Sequence, residues 1–449
     1  MNKIVILSLL VLISIVSNGQ ENIKKCITTR LVEHELISNP DYKKGRANSI
    51  SENIDWIKSD KSKRSTINIP VVIHIIHKNT HSNIGIGTNI SNAQIEDALK
   101  ILNEDYTKTN PEYTNPPRNT FLNYWGNPDM KFCLATIDPN GSPSNGITRT
   151  STTVAAWDAD DNFESNAMKK TINGGMDAWD PSKYLNIWVC NLSNSSGGGM
   201  TLGYAYLPGL QSWNAWKDGL VIDFQFFGTI GGASTSSDGR TATHEIGHYL
   251  GLMHTFCEDT DNQGNPICCD NDNNSWSGNV DDTPATKDIY FGSVTSNTSN
   301  NTCNDLSYSN IFTTNIVDMD ENYMSYASTT WMFSNGQVDV MNATLNGYRS
   351  SLKNTTVSMN CDGSVGTGLN NYQLENINIY PNPTLGKLNI ASADKINNLI
   401  ITSIIGKEIL FIKDFSANTI DISPYKNGVY FISISTDKGK HIEKIILNK

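Results

Sequence analysis

Long apolar runs are almost absent from the 449 residues: the one at the start, Ile4 to Val16, falls short of the roughly 20 residues that span a bilayer. Preceded by Lys3 and followed by the small residues Ser17 and Gly19, it reads as a secretory signal peptide over residues 1–19, leaving no transmembrane anchor after processing. Positive charge is also scarce. With 34 Lys+Arg against 45 Asp+Glu the formal net charge is −11, which excludes a nucleic-acid binder held by phosphate contacts. Eight Cys are too few for a scaffold built on disulfides, and a chain of this length has material for two or three domains with cores of their own. Once exported, those cysteines meet an oxidising compartment, so pairing is expected. Only 38% of residues are hydrophobic and 18% charged; Asn, Ser, Thr and 33 Gly fill the gap, the mark of a loop-rich protein.

From Gln20 to Arg64 the chain is polar, weakly helical in pattern and basic towards its end, KSDKSKRS, before INIPVVIHIIHK changes its character. Val71, Val72, Ile73, Ile75 and Ile76 form the near-continuous β-branched run of a strand buried on both faces. A core opens there. Residues 20–64 therefore read as a removable pro-segment, with Lys63-Arg64 as its processing site, and residues 65–361 as the main domain. Within it, Ile95, Ala98, Leu99, Leu102 and Tyr106 follow helical spacing behind a Ser91 N-cap. The segments MKFCLATID, YLNIWVCNL, MTLGYAYLP and DGLVIDFQFFG read as further strands, so an α/β (α+β) domain with a mixed five-stranded sheet is expected. Residues 362–372 form a linker, and residues 373–449 hold short alternating strands divided by turns, the pattern of a small antiparallel β-sandwich.

The chemistry concentrates in TATHEIGHYLGLMHTF. On a helix, His244 and His248 project from one face a turn apart, the separation that lets two imidazoles share one Zn²⁺. Gly251 allows a positive φ that stops the helix and swings the chain back, bringing His254 in as a third ligand. Three neutral nitrogens leave a fourth position for water, as in a catalytic zinc site. Zinc lowers the pKa of such a water to about 7, and Glu245, next to the first ligand, can reach it as general base without binding the metal.

This helix, H-E-x-x-H-x-x-G-x-x-H, resembles the signature of the metzincin metallopeptidases, and NYMSY, with Met324, resembles their Met-containing turn. Within that group the chain is similar to small bacterial members of the pappalysin family, through IPVVIHIIH, LGYAYLP, DGLVIDFQFFG, HEIGHYLGLMHTF, VDDTPAT and NYMSYASTTWMFSNGQV. The resemblance implies a two-subdomain catalytic unit, Met324 as an apolar floor beneath the zinc, and Tyr326 as a catalytic residue near the transition state. It also implies an edge strand, with Leu202, Gly203 and Tyr204, that pairs with an extended protein or peptide substrate. Members that cleave at Arg or Lys carry an acid shortly after the Tyr of the turn; here Ala327 to Trp331 has none, so a small or apolar residue is at least as suited to that pocket.

Between the third His and the Met-turn lies an insertion with Cys257, Cys268, Cys269 and Cys303, which four-cysteine arithmetic can pair in three ways. It also carries Asp270, Asp272, Asp281 and Asp282, hard oxygen ligands suited to Ca²⁺, which family members bind in this region. Cys26 stands alone in the pro-segment. Relatives have a Cys in a similar place, so its thiolate, favoured by Lys24, Lys25 and Arg30, is expected to occupy the zinc's open position and confer latency; a disulfide to another unpaired Cys is the alternative.

The C-terminal segments NIYPNPTLGKLNI, ITSIIGKEIL and IDISPYKNGVYFISIS resemble the sorting domain of the type IX secretion system, implying that machinery as a partner and an extracellular or outer-membrane-attached product. The sequence thus points to a secreted zinc endopeptidase made as a zymogen. The competing class, a surface adhesin on a peptidase scaffold, would be expected to lose Glu245 or a ligand, and all four are present; the extended helix motif disfavours a zinc amidase or deacetylase.

Overall fold

The computed structural model describes residues 26–59, 66–162, 164–195, 200–269, 280–365, 377–392, 395–404, 406–436 and 439–449. The stretch read as a signal peptide, Lys63-Arg64, Asp270, Asp272 and most of the stretch read as a linker lie outside them.

Two helices come first, α1 (Thr28–Ser38) and α2 (Pro40–Lys58), the second capped by Asn39, whose side chain accepts from Tyr42 N. The main domain then runs β1 (Ile67–Lys78), α3 (Asn92–Tyr106), β2 (Met130–Ala135), β3 (Ile147–Thr152), β4 (Trp157–Asp158), α4 (Glu164–Ala167), β5 (Leu185–Cys190), β6 (Leu192–Ser193), β7 (Gly203–Ala205), β8 (Leu220–Asp223), α5 (Thr241–Tyr249), α6 (Asn335–Asn346), α7 (Ser350–Lys353) and β9 (Met359–Asn360). As expected, α3 is capped by Ser91, whose side chain accepts from Gln94 N.

The central sheet is mixed, in the order β7-β8-β5-β1-β2-β9, with β3 also on β1. β1 is long enough to serve two neighbours on one edge: Ile67–Val71 pair in parallel with β2, and Ile73–Lys78 with β3. It has seven strands instead of the five read from sequence. β3, ITRTST, is polar and only half-buried, and β9 is two residues long, tied to β2 by the Cys133–Cys361 disulfide; neither carries an apolar pattern.

Alternation along the strands separates two cores. Ile69, Val71, Ile73, Ile187, Val189 and Ile222 face α3 and α5, while Ile76, Trp188, Tyr204 and Val221 face the opposite way, where Ile27, Leu31, Val32 and Tyr42 of the first two helices cover them. β7 ends the sheet, antiparallel to β8, and leaves one edge towards the N-terminal segment.

Farther along, β10 (Ile377–Tyr380), β11 (Lys387–Ser392) and β14 (Thr419–Asp421) form one antiparallel sheet. A second contains β12 (Ile396–Ser403), β13 (Glu408–Lys413), β15 (Gly428–Thr436) and β16 (Gly439–Leu447). Both sheets contribute to one buried cluster that includes Leu388, Leu399, Ile401, Ile432 and Ile434, the expected all-β sandwich. Among the described residues no helix is long and apolar enough to cross a membrane.

Candidate metal centre

Helix α5 is apolar enough on one face to bury Ala242, Ile246 and Tyr249 in the core, which turns His244, Glu245 and His248 to the cleft side. Gly251, at φ +102°, ends the helix as its sequence position demands, and the returning chain delivers His254. The three Nε2 atoms stand 3.1–3.2 Å apart. Nitrogens that each lie 2.0–2.1 Å from one tetrahedral zinc would be about 3.4 Å apart, so the triangle is of the right size.

Each ring is oriented from behind. His244 Nδ1 is 2.7 Å from Tyr323 O, His248 Nδ1 2.8 Å from Leu252 O, and His254 Nδ1 3.0 Å from Glu258 Oε2. The two carbonyls assign the proton to Nδ1 of His244 and His248, and the three Nε2 atoms converge on one point. Converging lone pairs repel one another unless a proton or a cation lies between them. Burial and the two neighbouring imidazoles hold His248 well below the usual histidine range, which disfavours the proton. The donor set therefore fits a metal ion, and its three nitrogens are zinc's preferred borderline ligands.

Met324 lies beneath this helix, fully buried. A Cβ on Gly247 would meet its Sδ at 2.4 Å, so the turn approaches the helix as closely as a glycine permits. Asn322 holds the turn: its Oδ1 accepts from Met324 N at 2.9 Å, and its amide exchanges hydrogen bonds with Gln337. Gln337 belongs to a capping box with Ser334 at the start of α6. Asp282, expected among calcium ligands, accepts from Ser334 Oγ at 2.6 Å and Gly336 N at 2.8 Å, which commits both carboxylate oxygens to that helix N-terminus. Neither Asp281 nor Asp282 belongs to a cluster of metal-ligating groups among the described residues.

Sequence reasoning missed the network that fixes the helix start. Asp105 Oδ1 accepts from Tyr323 OH at 2.6 Å and Arg240 Nε at 3.3 Å, and Oδ2 from Thr243 Oγ1 at 2.7 Å. Arg240 also forks onto Glu112 at 2.8 and 3.0 Å. One buried carboxylate thus joins α3, the residue before His244 and the residue before Met324. Glu258 was missed as well, although its place four residues after His254 was there to be read.

In front of the imidazoles lies the N-terminal segment. Cys26 forms a parallel bridge with Gly203, so the segment runs along the free edge of β7. Its Sγ is within 4.8 Å of the three imidazole nitrogens and donates to Glu245 Oε2 at 3.4 Å, as does Thr28 Oγ1 at 3.4 Å. Burial raises Glu245 to about 8, with those two donors acting against it. Burial and the nearby Glu245 push the Cys26 thiol well up as well. Arg30, expected to favour the thiolate, turns away to the carbonyls of Ala159 and Asp160, while Lys24 and Lys25 are outside the described residues. Tyr326 is buried against His254 with ring centroids 5.0 Å apart, and its OH donates to Cys26 O at 3.2 Å.

Leu202, Ala327 and Thr330 line a small cavity beside Glu245; the stretch after the turn is neutral, as read, but Asp238 adds an acid from the loop before α5. Gly203 and Tyr204 lie on the edge strand, and the Tyr204 ring points into the core, donating to Ser165 O at 2.7 Å. Two disulfides pin the insertion, Cys257–Cys269 and Cys268–Cys303, one of the three pairings left open by sequence. Cys26 and Cys190 are free and buried.

Residues 166–346 match the family model described as pregnancy-associated plasma protein-A, a peptidase family, and residues 378–448 match the secretion system C-terminal sorting domain. The chain is 35% identical to mature mirolysin of Tannerella forsythia solved with a cleaved peptide, over 65% of this chain and 96% of that one, with a TM-score of 0.52. Against promirolysin of the same organism the identity is 32%, covering 74% and 97%, with a TM-score of 0.58. An extracellular metalloprotease of Pyricularia oryzae is 28% identical over 227 residues, 50% of this chain. The chain spans 59% and 53% of the length of this and a second fungal relative, from Verticillium alfalfae.

Proposed function

Since the chain belongs to the pregnancy-associated plasma protein-A family of metallopeptidases, we propose that it is a secreted zinc endopeptidase that is made in a latent form and cleaves extracellular proteins. The observation that carries this reading is the triangle of Nε2 atoms, two of the rings held from behind by backbone carbonyls, with Glu245 at its rim. His244, His248 and His254 would hold the zinc. When bound, zinc acidifies water and polarises the scissile carbonyl.

The chain's own groups supply the rest. Glu245, beside the first histidine at the rim of the triangle, is the group placed to take a proton from the attacking water and return it to the leaving amine, once the segment whose Cys26 and Thr28 donate to it is gone. Tyr326 OH donates to a backbone carbonyl at the site, that of Cys26, and would donate in the same way to the oxygen that gains charge as the substrate carbonyl is attacked. Leu202, Gly203 and Tyr204 offer backbone groups of the β7 edge to an extended substrate.

Latency follows from occupancy. Residues 20–64 act as pro-segment: Cys26 brings its sulfur to the histidine nitrogens, and the backbone around it takes the β7 edge that substrate needs. The similarity to promirolysin over a longer part of the chain supports this role. The domain of residues 373–449 directs export through type IX machinery, with the enzyme released or attached at the outer surface. Calcium in the insertion, on Asp270, Asp272 and Asp281, would brace a loop that has little core beyond its two disulfides.

Glu245→Ala is the decisive test. The variant should retain about one zinc per chain by elemental analysis and lose casein hydrolysis by about 10²- to 10⁴-fold, the range of a lost general base. Hydrolysis that survives the substitution with zinc bound would sink the mechanism.

A further inference from the structure

Arg240 and Tyr323 form a fixed wall of the small cavity beside Glu245: Arg240 is committed through Nε to Asp105 and through both Nη atoms to Glu112, and Tyr323 OH to Asp105. Two other lining residues are different. Ser325 and Thr330 are 7% and 5% exposed, and neither hydroxyl has a hydrogen-bond partner among the described residues. The great majority of buried polar side chains are paired, and neither of these oxygens is sealed inside the protein. Both residues stand on fixed backbone: Ser325 N donates to Asn322 O at 2.9 Å, and Trp331 N, next to Thr330, donates to Glu321 O at 2.8 Å. Ala327 adds a methyl group to the lining, and the exposed Asp238, whose Oδ1 accepts from Arg240 N at 2.9 Å, adds negative charge.

The cavity is small, about 50 Å³. One water needs about 10–15 Å³ of such space, so the cavity takes a side chain the size of Ser, Thr or Asn and not the length of Arg or Lys. It adjoins His244 and Glu245 but neither His248 nor His254, and none of its lining residues belongs to the N-terminal segment. Glu245 is the group that hands a proton to the leaving amine, so the side chain beside it is that of the residue supplying the amine. We propose that Ser325 and Thr330 select a short polar residue, Ser, Thr or Asn, immediately after the scissile bond. Their hydroxyls bond its polar tip, and an apolar tip of the same size leaves both unpaired. The Asp238 carboxylate disfavours Asp and Glu at the same place. This rests on the endopeptidase reading above and narrows the small or apolar residue expected from sequence to one that forms hydrogen bonds.

Two measurements keep the inference separate from that reading. The first uses the enzyme produced by processing of the full chain, with peptides that differ only in the residue after the scissile bond. Thr should exceed Val, which has its shape without the hydroxyl, and Asn should exceed Leu, each by about tenfold or more in kcat/KM, with Asp and Arg below both polar residues. Thr330→Val and Ser325→Ala should each shrink the Thr-to-Val ratio. An enzyme that hydrolyses casein but prefers Arg, Leu or Val at this position overturns the assignment and leaves the endopeptidase reading intact. The second needs no turnover. The zinc-loaded chain carrying Glu245→Ala, cut at Lys63-Arg64 by added trypsin, is titrated by calorimetry with product peptides that begin with Thr or with Val. The Thr peptide should bind about tenfold tighter, and Thr330→Val should remove the difference. Equal affinities in the parent overturn the subsite whatever the enzyme cleaves. Selective binding of the Thr peptide by a chain whose Glu245 form cleaves neither casein nor any of the peptides breaks the endopeptidase reading and leaves the subsite standing.

Discussion

The two sides of the histidine triangle are built differently. Behind it, every contact is a buried polar bond or a close approach: Nδ1 atoms on Tyr323 O, Leu252 O and Glu258, Asp105 tying Tyr323 to Arg240 and Thr243, and Met324 against Gly247. In front, the N-terminal segment meets the triangle through a single β-bridge and the Thr28 and Tyr326 hydrogen bonds, while farther out Tyr42 OH donates to Leu207 O, Arg46 to Pro208 O and Asn53 to Thr344 Oγ1, Glu35 pairs with Lys217, and Ile27, Leu31, Val32 and Tyr42 are buried on the outer face of the sheet. Buried polar groups cost a few kcal/mol when one partner is lost and have no outside replacement. Edge pairing at the triangle, in contrast, is a contact that an extended peptide can offer in its place. The back is made to stay and the front to be exchanged.

The largest expected effect tests the back. Asp105→Ala leaves Tyr323 OH and Thr243 Oγ1 without their buried acceptor and Arg240 with Glu112 alone. It should cost about 3–5 kcal/mol of unfolding free energy by urea titration and weaken zinc binding about 10- to 100-fold. A loss under ~1 kcal/mol with unchanged zinc affinity would erase the distinction drawn between the two sides.

A matched pair of smaller perturbations sharpens it. Added Cβ atoms would meet Met324 Sδ at 2.4 Å from Gly247 and Gly209 O at 2.1 Å from Gly45. Overpacking of this kind costs about 1–3 kcal/mol, but it falls on different parts. Gly247→Ala should lower the kcat/KM of the processed enzyme, whereas Gly45→Ala, which leaves with the segment, should shorten the latency of the precursor. A precursor whose latency is unchanged by Gly45→Ala would show that the front is held as firmly as the back.

What could be read from sequence follows the same division. The convergence of the three histidines was legible because a helix turns their chemistry into fixed spacing, and β1 because two-sided burial needs an unbroken β-branched run. Ser91 and Gly251 were legible as local backbone events, a cap and a positive φ. The Asp105 network was not: Asp105 and Tyr323 are 218 residues apart, and nothing near either marks it as the other's partner. β9 was hidden because its position comes from the Cys133–Cys361 bond and not from its two residues. The capping role of Asp282 was not legible, because an acid that caps a helix and an acid that binds calcium look alike until the helix start at Ser334 is placed beside it. The Arg30 contact was invisible for a further reason: Ala159 and Asp160 meet it with backbone carbonyls, which no sequence distinguishes.

The smallest effect separates acid acting on the sheet from acid acting on the triangle. His74 projects from β1 on the face away from α5, fully buried, with Nδ1 2.8 Å from Thr148 Oγ1 and Nε2 3.0 Å from Asn186 Oδ1, and with Trp179 and Trp188 beside its ring. None of these four neighbours is ionisable. Burial lowers its pKa from 6.5 to about 4, with the Asn186 bond acting against that shift. Because the folded value is depressed, the unfolded chain takes up the proton first. The stability tied to the neutral ring is complete above 6.5 and is lost as pH falls from there towards 4. Between pH 7 and pH 5.5 this single group should remove about 1 kcal/mol. His74→Gln, measured by urea unfolding at both pH values, should lose about that much less than the parent chain, whatever its starting stability. If the two chains lose the same amount, acid acts elsewhere, and the imidazoles behind the N-terminal segment become the site where low pH would loosen the front from the back.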